Sequence, residues 1–173
     1  YYADAIAELD RFLKVYPNYK DKAYAEYLLG LCYYEQIVDE KKDLESISNS
    51  KRIFLGITNK YPDTDFAMDV EFKLDLINDI LAAKEMYVGR YYVDRKKWIA
   101  AINRFKFVID NYETTIYVEE AIHRLVEIYY IIGLETEAKK YAALLGYNYK
   151  SSKWYQNSYS VFNKKYKKNK IVK

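Results

Sequence analysis

Helix breakers are scarce in this chain, and the few present sit where a helix would have to end. Five glycines and two prolines serve 173 residues, and both prolines follow a tyrosine that closes an apolar run, at Tyr16–Pro17 and Tyr61–Pro62. Proline lacks an amide proton and biases the residue before it away from helical angles, so each pair reads as a helix stop. Ahead of the first stop, Ala5, Ile6, Leu9, Phe12, Leu13 and Tyr16 recur every three or four positions. That spacing is one face of an α-helix. A chain so poor in breakers and so regular in period points to an all-α fold.

Period and stops together predict helices over 2–16, 21–38, 50–61, 65–94, 96–111, 117–132 and 135–145, then a short last helix to about 165. Residues 39–49 are polar and read as an exposed connection. Asp63 or Thr64 is expected to cap the fourth helix, Thr114 or Thr115 the sixth, and Ser151 or Ser152 the eighth. Gly133 is placed to end the sixth helix, and Gly146 to begin a turn. In the fifth helix Trp98, Ile102, Phe105, Ile109 and Tyr112 form one apolar face. Arg104 points about 120° away from that face and Phe107 about 180° away.

Aligning the helix ends exposes an internal repeat. Tyr–Pro stops stand at 16–17 and 61–62, and Tyr112–Glu113 takes the same place in a third copy. Counting back gives Ala5…Leu9…Phe12…Pro17 and Ala101…Phe105…Val108…Glu113. Both fit the A-x3-F pattern of the second helix of a tetratricopeptide repeat, with Leu for Phe in the first. The first-helix pattern L-G-x2-Y appears as Leu29-Gly30-x2-Tyr33 and as Val88-Gly89-x2-Tyr92. Val88 to Leu125, Tyr92 to Tyr129 and Ala101 to Ala138 share one 37-residue shift, close to the repeat norm of about 34. The expected fold is therefore a tetratricopeptide-repeat-like solenoid of stacked antiparallel helix pairs. Repeats would fill residues 1–147, and a C-terminal helix with a Lys-rich tail would fill 148–173.

Composition narrows the function classes. The 22 tyrosines suit shallow layers between helix pairs, since each ring packs like Phe but keeps a polar tip. Six lysines stand in the last ten residues, KKYKKNKIVK; without them the net charge of +3 becomes −3. That tail reads as a solvated terminus. The lone Cys32 excludes an internal disulfide and a thiol-rich metal site, and it is expected to be a small buried hydrophobe. The chain begins at Tyr1 inside a helical pattern, which suggests that a preceding segment, with any targeting signal, is missing.

Catalytic chemistry is hard to assemble from these residues. His123 is the single histidine, expected to be a partly buried or surface helix residue; one His makes no His-based metal site. A Cys32–His123 nucleophile–base pair would need the fold to bring distant residues together. The carboxylates Glu119–Glu120 and Asp63/Asp65 lie at helix starts, where acids favour the helix dipole. There is no glycine-rich phosphate loop and no nucleic-acid motif, so neither a cofactor nor a nucleic-acid partner is expected. The chain reads as a non-enzymatic binding or scaffold protein, not an enzyme.

Tyr91–Phe105, YYVDRKKWIAAINRF, resembles the YYxxRxxWxAxxNR segment of the BamD family. These are tetratricopeptide-repeat lipoproteins of the bacterial outer-membrane β-barrel assembly machinery. AIAELDRFLKVYPNY followed by AEYLLGLCYY is similar to repeats of that family, and so is the run KRIFLGITNKYPDTDFAMDVEFKLDLINDILAAKEM. The resemblance covers about residues 3–145. It departs at Glu113, where the family often has Pro, and after 146. It implies a periplasmic location on the cell outer membrane, with membrane contact through a lipid anchor outside this fragment. It also implies partners: the periplasmic domains of the barrel component BamA, other assembly-machinery lipoproteins, and unfolded outer-membrane protein substrates. The family Arg of the NR pair, central to the BamA contact, matches Arg104, and the Arg of the turn matches Arg95. With Trp98, Ala101 and Phe105 taken by the repeat, Arg104 is left with no structural duty. Phe107, beside it, stays open between packing on the next repeat and a partner. Arg95 stays open between a partner contact and a solvated turn. The alternative reading is a generic tetratricopeptide adaptor that binds peptides in its concave groove.

Overall fold

A computed structural model describes residues 1–37 and 44–162. The described residues form α1 (Tyr2–Val15), α2 (Lys22–Tyr34), α3 (Leu44–Lys60), α4 (Asp65–Asp94), α5 (Trp98–Asn111), α6 (Val118–Ile131), α7 (Glu135–Asn148) and α8 (Lys153–Val161). The fold is all-α and built of tetratricopeptide-like helix pairs, as the period implies. It divides into two compact units, Tyr1–Ile80 and Leu81–Lys173. The expected end of the last helix beyond 162, the lysine tail and residues 39–43 of the expected 39–49 connection lie outside the described residues.

The stops share a mechanism that does not need proline. The amide of each closing tyrosine still donates to the carbonyl four residues back: Tyr16 to Phe12, Tyr61 to Ile57, Tyr112 to Val108, Tyr149 to Leu145, all at 2.8–2.9 Å. Tyr112 and Tyr149 then leave the helical region at φ/ψ of −135/42 and −135/47. The next turn closes on the tyrosine carbonyl, which accepts the amide of Thr64, Thr115 or Ser152. At Thr64 and Thr115 the hydroxyl donates to the same carbonyl, at 2.8 Å in both. So Tyr-x-x-Thr/Ser is the stop at Tyr61, Tyr112 and Tyr149, with Tyr19 in the last place after Tyr16, and Glu113 can replace Pro. The same geometry corrects one expected cap: Thr115 turns back to Tyr112, and α6 starts after Tyr117 with no side-chain cap. Thr64 and Ser152 do cap, accepting from the amides of Ala67 and Trp154.

In the first unit α2 contacts both α1 and α3. Ala25 and Leu29 of α2, Ile47, Phe54 and Ile57 of α3, and Val70 and Ile77 of α4 are buried. Residues 44–49, expected as connection, are helical. Ile47 and Ser50 continue the buried face, and the Ser50 hydroxyl donates to the Gly30 carbonyl at 3.2 Å, which lets a polar residue sit on a core stripe. Cys32 is half-buried rather than buried.

The small–large logic of the repeat is visible at two glycines. A Cβ on Gly30 would lie 2.4 Å from Phe54 Cε1, and one on Gly89 would lie 2.5 Å from Phe105 Cε1. Each glycine is the hole that its partner ring fills. In the next copy the 37-residue shift places Val126 where Gly89 stood and Ala142 where Phe105 stood, so large and small change sides. Gly146 does not begin a turn; α7 runs past it to Asn148, and a Cβ there would lie 2.6 Å from the Tyr155 ring of α8.

In the second unit α6 contacts α5, α7 and α8, and it carries most of the core: Ala121, Ile122, Leu125, Val126 and Ile128. His123 is only 3% exposed, not at the surface. Its Nδ1 lies 2.8 Å from Ser158 Oγ and its Nε2 3.4 Å from Glu127 Oε1, with Trp154 of α8 across its face. Burial of these polar groups is tolerated because each has a partner. Ser158 is itself fully buried, so this Ser–His–Glu set seats α8 on α6 and offers no exposed nucleophile.

Candidate functional site

The residues singled out by the sequence lie on the hairpin of α4 and α5. The chain reverses at Arg95–Lys97 through two bonds, Lys96 N–H to Val93 O at 2.8 Å and Lys97 N–H to Tyr92 O at 2.9 Å. This is the Schellman closure, which puts one residue in the left-handed region. Here that residue is Lys96, φ 57. One repeat later Gly133, φ 85, takes the same place: its N–H donates to Tyr130 O at 3.2 Å and the Leu134 N–H donates to Tyr129 O at 2.8 Å.

Arg95 is exposed just before Lys96, and its guanidinium lies 4.4 Å from the centre of the Tyr91 ring. Stacking on a residue four positions back gives the turn cation a defined place. Arg104 is also exposed, but it is not idle: its Nη1 donates to Glu85 Oε2 at 3.0 Å, tying α5 to α4. Glu85 takes one of the five guanidinium donors, so Arg104 keeps others for a partner's carboxylate or carbonyl. Phe107 is 44% exposed rather than buried on the next repeat, held edge-on to Tyr112 at 5.9 Å. Burial, and then the Glu85 charge, raise the Tyr112 pKa.

Arg104 and Phe107 line one shallow cavity of about 270 Å³ together with Tyr92, Ala100 and Asn103. Arg95 is not part of that lining. The structure thus joins two of the three expected site residues and leaves the third at the turn. A charged chain links α4 to α6: Arg90 pairs with Glu120 at 3.0 Å, and Arg124 with Glu120 at 3.3 Å and with Glu127 at 2.9 Å. Sequence reasoning missed Glu85, because nothing marks an acid 19 residues upstream as the partner of Arg104. Tyr91 was findable, since it stands four residues before Arg95 at the end of α4. The cavity offers a planar cation, an amide and an exposed ring, a composition suited to recognising a protein surface.

Among the described residues no cluster of His, Cys, Asp or Glu could hold a metal ion, and no helix is long and apolar enough to cross a membrane.

Residues 1–145 match the model of the YfiO family, described as outer membrane lipoprotein. A protein of Caulobacter vibrioides named outer membrane protein assembly factor BamD is 43% identical over 162 residues, covering 94% of this chain and 53% of that protein. A protein of Rickettsia prowazekii with the same name is 48% identical over 160 residues, covering 92% of this chain and 64% of that protein. A third so named, from Neisseria gonorrhoeae, is 32% identical over 137 residues, 70% of this chain and 51% of that protein. The chain therefore spans between about half and two thirds of the length of these relatives. With the family match over most of its length and the helix pairs that the repeat pattern implies, this chain belongs to the YfiO/BamD family of outer membrane lipoproteins.

Proposed function

We propose that the protein is a non-enzymatic scaffold of outer-membrane protein assembly, whose α4–α5 hairpin docks on the periplasmic domains of a BamA-like barrel component. Its place is the periplasmic face of the cell outer membrane, held by a lipid anchor in the full-length protein. Assembly-machinery lipoproteins and unfolded outer-membrane proteins are its further partners. The names of the relatives support the assembly role. The observation that carries the contact is Arg104, half-exposed, steadied by Glu85 and set beside an exposed Phe107.

Recognition follows from that geometry. A partner carboxylate or carbonyl can meet the donors that Glu85 leaves, while an apolar side chain covers Phe107 and the cavity floor. Arginine with an aromatic neighbour is the usual make-up of an interface hot spot, worth about 2 kcal/mol or more. Arg104→Glu in the full-length protein should therefore weaken binding to the purified periplasmic domains by at least about 30-fold, with helicity and melting unchanged. Wild-type affinity in that variant would sink the proposal.

A further inference from the structure

The second unit carries another concave surface, which the Arg104 site does not use. A cavity of about 600 Å³ opens between α5 and α7, lined by Lys106, Ile109, Asp110, Lys140, Tyr141, Ala143, Leu144 and Tyr147. On α5, Lys106 and Ile109 stand roughly 140–160° around the helix axis from Arg104, so one helix serves two separate surfaces. The 37-residue shift relates the surfaces as well: Lys140, Tyr141 and Leu144 occupy the register of Asn103, Arg104 and Phe107. The repeat presents the same helix positions twice, with an apolar residue and a phenol in the second copy where the first has a ring and a guanidinium.

Two observations define what this groove takes. Its walls are apolar and accessible: Leu144 is exposed, and Tyr147 is 90% exposed. Its charge is unbalanced: two lysines face one aspartate. Lys140 has Glu137 at 3.9 Å, but among the described residues no carboxylate lies within ion-pair distance of Lys106. Lys106 instead stands near the phenols of Tyr129 and Tyr141, whose rings stack at 5.6 Å and 8°. The Tyr129 hydrogen bond, first among several contacts, raises the Lys106 pKa. A cation in an apolar groove, with no carboxylate at ion-pair distance, complements an incoming acid set beside an apolar side chain.

The geometry points to a second docking site: the α5–α7 groove binds an amphipathic segment of a partner protein, its carboxylate on Lys106 and its apolar side chains between Ile109, Leu144 and Tyr147. The partner is acidic and apolar, and it engages the chain independently of whatever binds Arg104.

The test uses the full-length protein and two end-blocked synthetic helical peptides. They share their leucines and differ only in bearing glutamates or lysines on the polar face. Fluorescence anisotropy should show the glutamate peptide binding at least about tenfold more tightly than the lysine peptide. Lys106→Met and Leu144→Asp should each weaken it by about tenfold, whereas Arg104→Glu should change it by less than about twofold. Tyr147→Ala removes an exposed ring with no core role and should also weaken binding, which keeps the test sound even if another variant unfolds. Equal binding of the two peptides, binding of neither, loss of binding on Arg104→Glu, or an unchanged affinity in Tyr147→Ala would each overturn the proposal. So would concentration-dependent dimerisation that Tyr147→Ala abolishes, since the groove would then hold a second copy.

Discussion

Arg104 and Glu85 meet at 3.0 Å between α5 and α4, with Glu85 the more shielded of the two. An ion pair this open to solvent adds only about 0–1 kcal/mol to stability. Its consequence is orientation, because it holds a long side chain in one rotamer beside Phe107. Glu85→Gln should thus leave the melting temperature nearly unchanged yet weaken partner binding by roughly two- to tenfold, the cost of ordering one flexible side chain. Titration calorimetry with the periplasmic domains checks it. Tighter binding would mean that Glu85 competes with the partner instead of preparing the site.

Lys96 is the chain's single described non-glycine residue with positive φ, in the position that Gly133 fills one repeat later. A side chain with a Cβ there carries about 1 kcal/mol of strain. Lys96→Gly should stabilise the protein by about 0.5–1 kcal/mol, and Gly133→Ala should destabilise it by about 1 kcal/mol. Urea unfolding of both variants provides the comparison. A destabilised Lys96→Gly would show that the lysine makes a compensating contact.

Gly89 and Phe105 are a hole and its filler, with 2.5 Å between an added Cβ and the ring. Gly89→Ala forces the ring out of its place and should cost about 1–3 kcal/mol. Phe105→Ala alone leaves a void and should cost about 3–5 kcal/mol. The pair Gly89→Val with Phe105→Ala imitates Val126 and Ala142. It should be less damaging than the sum of its parts, with a coupling of about 1 kcal/mol or more by double-mutant cycle. Strict additivity would contradict the complementary-size reading.

Tyr27 and Asp69 link α2 to α4 by a 2.7 Å hydrogen bond. Burial, then the bond to Asp69, push the Tyr27 pKa from 10.0 up to about 12. The Tyr27 hydroxyl, the largest cause, holds the Asp69 carboxyl below its ordinary value of 3.8. For Asp69 the folded pKa is lowered, so its contribution is present above the ordinary carboxylate range and is lost as pH falls. For Tyr27 the folded pKa is raised, so its contribution is complete below pH 10.0 and is lost as pH rises through about 12. Tyr27→Phe should cost about 1 kcal/mol at neutral pH. The gap to wild type should close both in acid and in strong base. A gap independent of pH would mean that packing, not the hydrogen bond, carries the effect.

Much of this protein is legible locally. The three-to-four spacing of apolar residues and the scarcity of glycine and proline determine the helices, because helix formation depends on neighbours within one or two turns. The repeat determines the pairing of Gly89 with Phe105, since a missing side chain and a large one at fixed register imply contact. Even the Tyr-x-x-Thr/Ser stop was written in the chain, though the prolines drew attention from it. Residues 44–49 of α3 read as connection because most of them are polar, although Ile47 among them is buried.

Other properties belong only to the tertiary structure. Arg104 looked free on the helical wheel, which describes one helix and cannot show Glu85 arriving from α4. His123 looked ordinary until α8 folded over it with Ser158 and Trp154. Phe107 could have faced either way, and the α5–α7 groove exists only where two repeats meet. Periodicity sets which face of a helix is apolar, but side chains 19 to 37 residues apart meet only once the helices pack. The sequence by itself therefore determined the helices and the repeat family, and the packing of faces decided which side chains are paired, which are buried and which are left to bind.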